Sequence, residues 1–199
     1  MTRRARSLAV VAILAAGGAA LIASTQTWID VTLAAGVSTD VVVSGAAAAP
    51  VLAPLSLAVL ALGAALSIVG PALRYVFGVL AIGAAAALGT IGVQIAVGPP
   101  VASYGPAVTE ASGITGEAAL SGLVVSASLN AWPFVVIAAA VVLLAAGLFV
   151  LVTARRWRSG GRKYATGAPR VAPSGPLDPI DSWDELSRGS DPTTPGDVR

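Results

Sequence analysis

The stretch of sequence that decides the fold is residues 132–154, WPFVVIAAAVVLLAAGLFVLVTA, a run of 23 residues without a charge. A helix built from it is apolar around its whole circumference, as helices embedded in lipid are. About 20 apolar residues are needed to cross the hydrocarbon core of a bilayer. This stretch therefore predicts a membrane-spanning helix over residues 131–154.

Three further uncharged runs lie on the N-terminal side of this stretch, and each is long enough for one crossing. Their apolar parts are Leu8–Ala23, Val51–Val69 and Val76–Val97. We therefore expect an all-α membrane protein with a four-transmembrane-helix bundle in residues 1–154. The predicted spans are about 7–25, 51–70, 72–97 and 131–154, and the predicted outer loops are 26–50 and 98–130.

The composition excludes an ordinary soluble domain. Of the 199 residues, 56% are hydrophobic and 11% are charged, whereas soluble domains carry about 25% charged residues; the mean hydropathy is +0.84. The chain has no Cys and no His, which excludes thiol nucleophiles, thiolate zinc sites and imidazole bases. We therefore expect no enzyme, no catalytic residue, no cofactor and no metal site.

Basic residues flank the apolar stretches unequally. All 12 Lys and Arg lie before the first stretch, between the second and third, or after the fourth. The other two connections contain no Lys or Arg, and their only charged residues are the acids Asp30, Asp40, Glu110 and Glu117. Because basic residues favour the cytoplasmic side, we expect a multi-pass protein of the cell membrane with both termini in the cytoplasm. The bases lie beside the membrane, so no nucleic-acid binding is expected.

A second interpretation of the N-terminus remains open. Arg3, Arg4 and Arg6 followed by Leu8–Ala23 also fit the charged and apolar regions of a signal peptide. Cleavage would leave three spans and an external N-terminus. Trp28, just after the apolar stretch, favours a retained helix because Trp is enriched at membrane interfaces. Tyr75, Trp132 and Trp157 are expected to be interfacial anchors for the same reason.

The outer loops contain strand-like segments. Residues 27–33 and 39–44 are rich in β-branched residues and predict a small extracytoplasmic β-hairpin with its turn at 34–38. Alternation would place Trp28 on the face opposite Ile29 and Val31. Residues 123–129 are a candidate third strand. The Gly- and Pro-containing residues 98–122 predict an irregular loop with a short helix near 106–111.

Residues 155–199 form a basic juxtamembrane segment and a tail that is predicted to be disordered and cytoplasmic, because six of the 13 prolines lie there. Contact with anionic lipid is expected for the bases closest to the last span, which are Arg155, Arg156, Arg158, Arg162 and Lys163. Ile180, Trp183 and Leu186 form an apolar stripe at helical spacing. This stripe predicts a docking motif for a cytoplasmic protein partner, against the alternative of an unbound or membrane-touching tail.

These segments together resemble the bacterial tryptophan-associated transmembrane protein family, whose genes lie beside those of tryptophan biosynthesis. The resemblance rests on the segments Thr27-Trp28, Val31-Thr32-Leu33, Val43-Ser44-Gly45, Arg155-Arg156-Trp157, Lys163-Tyr164, Ser182-Trp183-Asp184-Glu185-Leu186, Arg188-Gly189 and Asp191-Pro192. The tail block is its most specific part, although this chain has Ser182 where the family commonly has Pro. The resemblance implies a membrane location and a link to tryptophan metabolism, and it assigns no mechanism.

Two functions from different classes follow from these observations. The first is a non-catalytic accessory protein that organises or regulates a partner, which suits the absence of reactive groups and the tail motif. The alternative is a facilitator or transporter of a small neutral or aromatic metabolite such as tryptophan or indole, which uncharged spans would suit. Ion-coupled transport is not expected, because such carriers need ionisable or coordinating groups within the membrane.

Overall fold

The structure is a computed structural model that describes residues 2–34 and 40–153. Its helices are α1 (Thr2–Thr25), α2 (Gly45–Ala48), α3 (Leu52–Leu66), α4 (Pro71–Val97), α5 (Val101–Ser112), α6 (Glu117–Leu123) and α7 (Trp132–Thr153). Its strands are β1 (Thr27–Leu33), β2 (Val41–Ser44) and β3 (Val124–Leu129). The expected disordered tail and most of the expected hairpin turn lie outside the described residues.

Three helices in the described ranges are long and apolar enough to cross a membrane: Arg4–Thr25 within α1, Ala72–Val97 within α4, and Trp132–Thr153, which is α7. These are three of the four predicted spans. Their large apolar side chains divide between buried positions such as Ile13, Leu88 and Leu143 and exposed positions such as Val11 and Phe134. Such a division is expected of helices that pack on one side and face lipid on the other.

The helix α3 is shorter than the predicted span over residues 51–70. It holds 15 residues, which corresponds to a length of about 22 Å. The apolar run continues beyond α3, but Ser67 and Ile68 fold back into a turn and donate their backbone N–H groups to Ala64 and Ala65. Pro71 then begins α4 at its first position, where the missing N–H of proline removes no helical hydrogen bond.

Glycines bring the long helices close together along two seams. In the first seam, α1 packs antiparallel to α3, and Gly17 and Gly63 lie against Leu60 and Leu14 respectively. In the second seam, α7 packs on α4, and a β-carbon at Gly147 would lie 3.1 Å from the carbonyl oxygen of Gly78. Helix α1 also packs on α7. Small residues permit the close backbone approach that holds helices together in lipid.

The strands form one antiparallel sheet in the order β2-β1-β3. The expected pairing of the first two strands and the candidate third strand are therefore both confirmed. Strand β3 comes from the connection before α7, so the sheet joins the two long connections of the chain. Asn130 strengthens this junction by donating from its side chain to Asp30 at 2.8 Å and from its backbone to Trp28.

The expected irregular loop over residues 98–122 is wrong in most of its length, because α5 and α6 occupy it, whereas the short helix expected near 106–111 lies within α5. Pro106 lies inside α5, where proline removes one helical hydrogen bond. Burial of Tyr104 and Val108 offsets this loss. Helix α5 ends at Gly113, whose φ of 71° is readily adopted only by glycine and whose N–H donates to Thr109.

The chain order puts the sheet and α5 and α6 at one end of the helices. The C-termini of α1 and α4 and the N-termini of α3 and α7 all lie at this end, which we call the sheet end. The opposite end, which we call the arginine end, holds Arg4, Arg6 and the turn between α3 and α4. Arg74, the base between the second and third apolar stretches, lies in the first turn of α4 because that helix begins at Pro71. Its side chain is buried, at 2% exposure.

Candidate functional site

Two of the segments that carry the family resemblance, Thr27-Trp28 and Val43-Ser44-Gly45, meet at one joint between α1 and the sheet. Trp28 lies at its centre and is fully buried. Thr27 pairs with Ser44 and Ile29 pairs with Val43, so Trp28 is the extra residue of a β-bulge. A bulge lets two consecutive residues face the same side of a strand. The indole therefore lies in the core beside Ile29, and the expected placement on the opposite face is wrong.

The indole of Trp28 connects the sheet to the first helix. Its Nε1 donates a hydrogen bond of 2.8 Å to the carbonyl oxygen of Ala23 in the last turn of α1. Carbonyls in the last turn of a helix have no partner within the helix. The Ala23 oxygen accepts two bonds from the chain that follows α1, one from Trp28 and one of 3.2 Å from the backbone N–H of Gln26. The joint fixes the direction in which the chain leaves α1.

Gly45 closes the joint from the other side. A β-carbon there would lie 2.5 Å from Nε1 of Trp28 and 2.9 Å from the carbonyl oxygen of Ala23. The backbone N–H of Gly45 donates to Gln26, and the Ser44 hydroxyl accepts from Ala47 at the start of α2. The joint is thus filled by protein atoms, and its geometry is that of a structural connection rather than of a ligand site.

The aromatic anchors expected from the sequence have different environments. Trp28 is completely buried within the protein, so its ring does not face lipid, and its expected depth at a membrane interface stays a prediction. The hydroxyl oxygen of Tyr75 is also buried and has no hydrogen-bond partner among the described residues. Trp132 is half-buried at the start of α7, a position compatible with an anchor, and Trp157 lies outside the described residues.

Polar side chains of the long helices bond within their own helices. The hydroxyls of Ser24, Ser56 and Thr90 donate to Leu21, Leu52 and Ala86 respectively, each at 2.7 Å. Gln94 is exposed on α4. Ser24 and Ser56 are buried, at 1% and 0% exposure. Because their hydroxyls donate within their own helices, they present no donor toward a substrate.

A surface groove of about 660 Å³ lies between α5 and α6. Val101, Gly105 and Leu120 contribute to its walls, and Glu110 and Glu117 lie along it. Both carboxylates are exposed, as expected for two solvated acids. No group of three or more His, Cys, Asp or Glu residues in residues 2–34 and 40–153 could hold a metal ion.

The site residues predicted from the sequence all lie outside the described residues. They comprise the lipid-contact bases Arg155, Arg156, Arg158, Arg162 and Lys163 and the docking residues Ile180, Trp183 and Leu186. These remain predictions. The joint at Trp28 was missed, although the close sequence spacing of Trp28 and the end of α1 was a usable indication that the two could touch.

Comparison with known proteins gives one family match. The model of the family described as tryptophan-associated transmembrane protein matches residues 10–193. The match includes the joint at Trp28 and the tail block around Trp183. No curated protein and no solved structure matches the chain.

Proposed function

The chain belongs to the tryptophan-associated transmembrane protein family, and from this premise we propose that it is a non-catalytic membrane accessory protein linked to tryptophan biosynthesis. The observation that carries this proposal is that the buried hydroxyls of the bundle, those of Ser24 and Ser56, bond back to their own helices. Such a bundle holds its place in the membrane without offering reactive groups. Contact with a partner protein would then be made by the segments outside the bundle.

The proposed bundle makes four crossings, and the sheet supports this number. Strands β1 and β2 follow α1, whereas β3 precedes α7, and the three are hydrogen-bonded in one sheet. The two connections must therefore lie on the same side of a membrane. The chain between them contains α3 and α4. If α4 crosses once, α3 must cross as well, because an odd number of crossings would separate the strands.

The length of α3 is compatible with a crossing when its flanks are included. Val51 and Ile68 extend the apolar surface beyond α3 and are 61% and 87% exposed. At the arginine end, Arg6 donates to the carbonyl oxygen of Leu66 at 3.5 Å. At the other end, Leu52 follows α2, which lies next to the joint. Helix α3 thus runs beside α1 from the joint to the reach of Arg6, and a short span is accommodated by local thinning of the bilayer.

The proposed orientation places the arginine end and both termini in the cytoplasm of the cell. The sheet end carries no Lys or Arg and holds Asp30, Asp40, Glu110 and Glu117. Basic residues are retained on the cytoplasmic side. The tail after α7 would then face the cytoplasm, where biosynthetic enzymes are located.

The proposed contact with a cytoplasmic protein partner uses Ile180, Trp183 and Leu186. Replacing Trp183 and Leu186 by Ala should abolish recovery of that partner in crosslinking pull-downs from cells. Thr193→Ala with Thr194→Ala provides the matched control, because it changes the same tail outside the motif. An unchanged set of partners in the Trp183 and Leu186 variant would contradict the proposal.

A second experiment separates this proposal from metabolite transport. Proteoliposomes that contain the purified full-length protein should take up tryptophan and indole no faster than protein-free liposomes. Faster uptake would favour a facilitator over an accessory protein. The pathway link is tested by a clean deletion, which should change intracellular tryptophan or indole during growth without added tryptophan.

A further inference from the structure

A groove at the arginine end combines bases with an apolar wall. Its volume is about 470 Å³, and it is lined by Arg4, Arg6, Ser7, Val10, Val11 and Ser67. Five of these residues belong to α1, and Ser67 directly follows α3. Val10 and Val11 lie four to five residues from Arg6, or about 6–7.5 Å along the helix axis. A charged region and an apolar region are thus adjacent in one surface groove.

Within the described ranges, no acidic residue lies at this groove to neutralise Arg4 and Arg6. The four acids among the described residues, Asp30, Asp40, Glu110 and Glu117, all belong to the sheet end. Arg6 uses one of its five N–H donors for the carbonyl oxygen of Leu66. This contact holds the guanidinium beside the end of α3, where its remaining donors can bind an anion.

The apolar wall selects an anion that carries a hydrocarbon chain. Val11 is 62% exposed, and Leu8 beside the groove is 66% exposed. Both residues belong to a membrane-spanning helix, so their exposed surfaces face acyl chains. Basic pockets between membrane helices are known to bind the headgroups of anionic lipids. A small hydrophilic anion would leave the valines without a partner.

We propose that this groove binds one anionic phospholipid. Its headgroup phosphate contacts Arg4 and Arg6, and the first part of an acyl chain lies along Val10 and Val11. The site is separate from the bases that follow α7, and it does not depend on the proposed partner of the tail. It would fix the depth of α1 in the bilayer and hold the end of α3 beside it.

The proposal is tested by native mass spectrometry of the full-length protein in detergent. The protein is titrated with phosphatidylglycerol or phosphatidylcholine with the same acyl chains. We expect phosphatidylglycerol to bind preferentially. Arg4→Gln with Arg6→Gln should lower its affinity about tenfold to thirtyfold, on the basis of the attraction of two bases near an anionic surface. Equal binding of the two lipids by the unaltered protein would overturn the proposal.

Two further variants keep this test independent of stability and of general charge. Val11→Trp fills the groove from an exposed position without changing the charge, and it should also weaken phosphatidylglycerol binding. Arg155→Gln with Arg156→Gln removes two bases elsewhere, and it should leave the preference in place. Loss of the preference only in this second pair would move the lipid site to the segment after α7 and contradict the groove.

Two competing occupants are resolved by the same measurement. Complete displacement of phosphatidylglycerol by inorganic phosphate would show that the groove recognises the anion alone, against the proposal. The acidic tail segment could also occupy the groove. If phosphatidylglycerol bound only after Asp181→Asn, Asp184→Asn and Glu185→Gln were introduced together, the tail would be the occupant. Binding in both backgrounds supports the lipid.

Discussion

The hydrogen bond from Trp28 to the carbonyl oxygen of Ala23 holds the sheet against the end of α1 at a single buried point. Trp28→Phe keeps an aromatic ring but removes the donor. We expect a loss of about 1 kcal/mol in the free energy of unfolding from the hydrogen bond, with a further loss from the smaller ring. Thermal unfolding in detergent measures this. Trp132→Phe makes the same change at a half-buried site and should cost less.

Gly45 is the residue at which an added methyl group meets the joint most directly. Gly45→Ala would place its β-carbon 2.5 Å from Nε1 of Trp28 and 2.9 Å from the Ala23 oxygen. Overpacking of this kind costs about 1–3 kcal/mol, and we expect a clearly lower melting temperature. Gly18→Ala is the control, because its β-carbon meets nothing within 4 Å. Equal stability of the two variants would show that the joint is not rigid.

At the scale of elements, the seam between α4 and α7 depends on glycine. A β-carbon at Gly147 would lie 2.9 Å from Cγ1 of Ile82 and 3.1 Å from the Gly78 oxygen. Gly147→Leu should therefore separate the two helices and lower the yield of folded protein in membranes. Gly83→Leu adds the same side chain at an exposed position with open space, and its yield should remain close to that of the unaltered protein.

The register of β1 and β3 provides another test at this scale. Thr32 lies opposite Ser126, and directly opposed residues have β-carbons about 4.5–5.5 Å apart. Because the chain has no cysteine, Thr32→Cys with Ser126→Cys should form one intramolecular disulfide on oxidation. Thr32→Cys with Ser128→Cys lies two residues out of register and should react more slowly. Equal rates would contradict the register.

The elements differ in how far the sequence predicts them. Long uncharged runs predict α1, α4 and α7 because membrane insertion is decided within each run. The length of α3 could not be predicted, since the residues of the turn, Ser67–Val69, continue its apolar pattern. Only residues 106–111 of α5 were predicted to be helical, because proline disfavours the interior of a helix. Helix α5 begins ahead of Pro106, and the burial of Tyr104 and Val108 offsets the lost hydrogen bond. The bulge at Trp28 depends on pairing with β2, which no local pattern contains.

In the whole molecule, the sheet joins distant parts of the chain by hydrogen bonds. Residues near position 30 and residues near position 128 share hydrogen bonds, and the two proposed spans α3 and α4 lie between them in sequence. The proposal that α3 and α4 both cross rests on this pairing, which requires an even number of crossings between the strands. The charge distribution predicts the same topology independently, because the only charged residues in the connections that supply the strands are acids. Strand pairing and the charge distribution thus support the four-span proposal independently.

The proposed four crossings are tested most directly by labelling single introduced cysteines with a membrane-impermeant maleimide. The unaltered chain has no cysteine, so it gives no background labelling. Asp40→Cys lies at an exposed position between β1 and β2, before α3, and Ser67→Cys lies between α3 and α4. If α3 crosses, Asp40→Cys is labelled in intact cells, whereas Ser67→Cys is labelled only after the membrane is permeabilised. Labelling of both positions in intact cells would show that α3 does not cross and would contradict the four-span proposal.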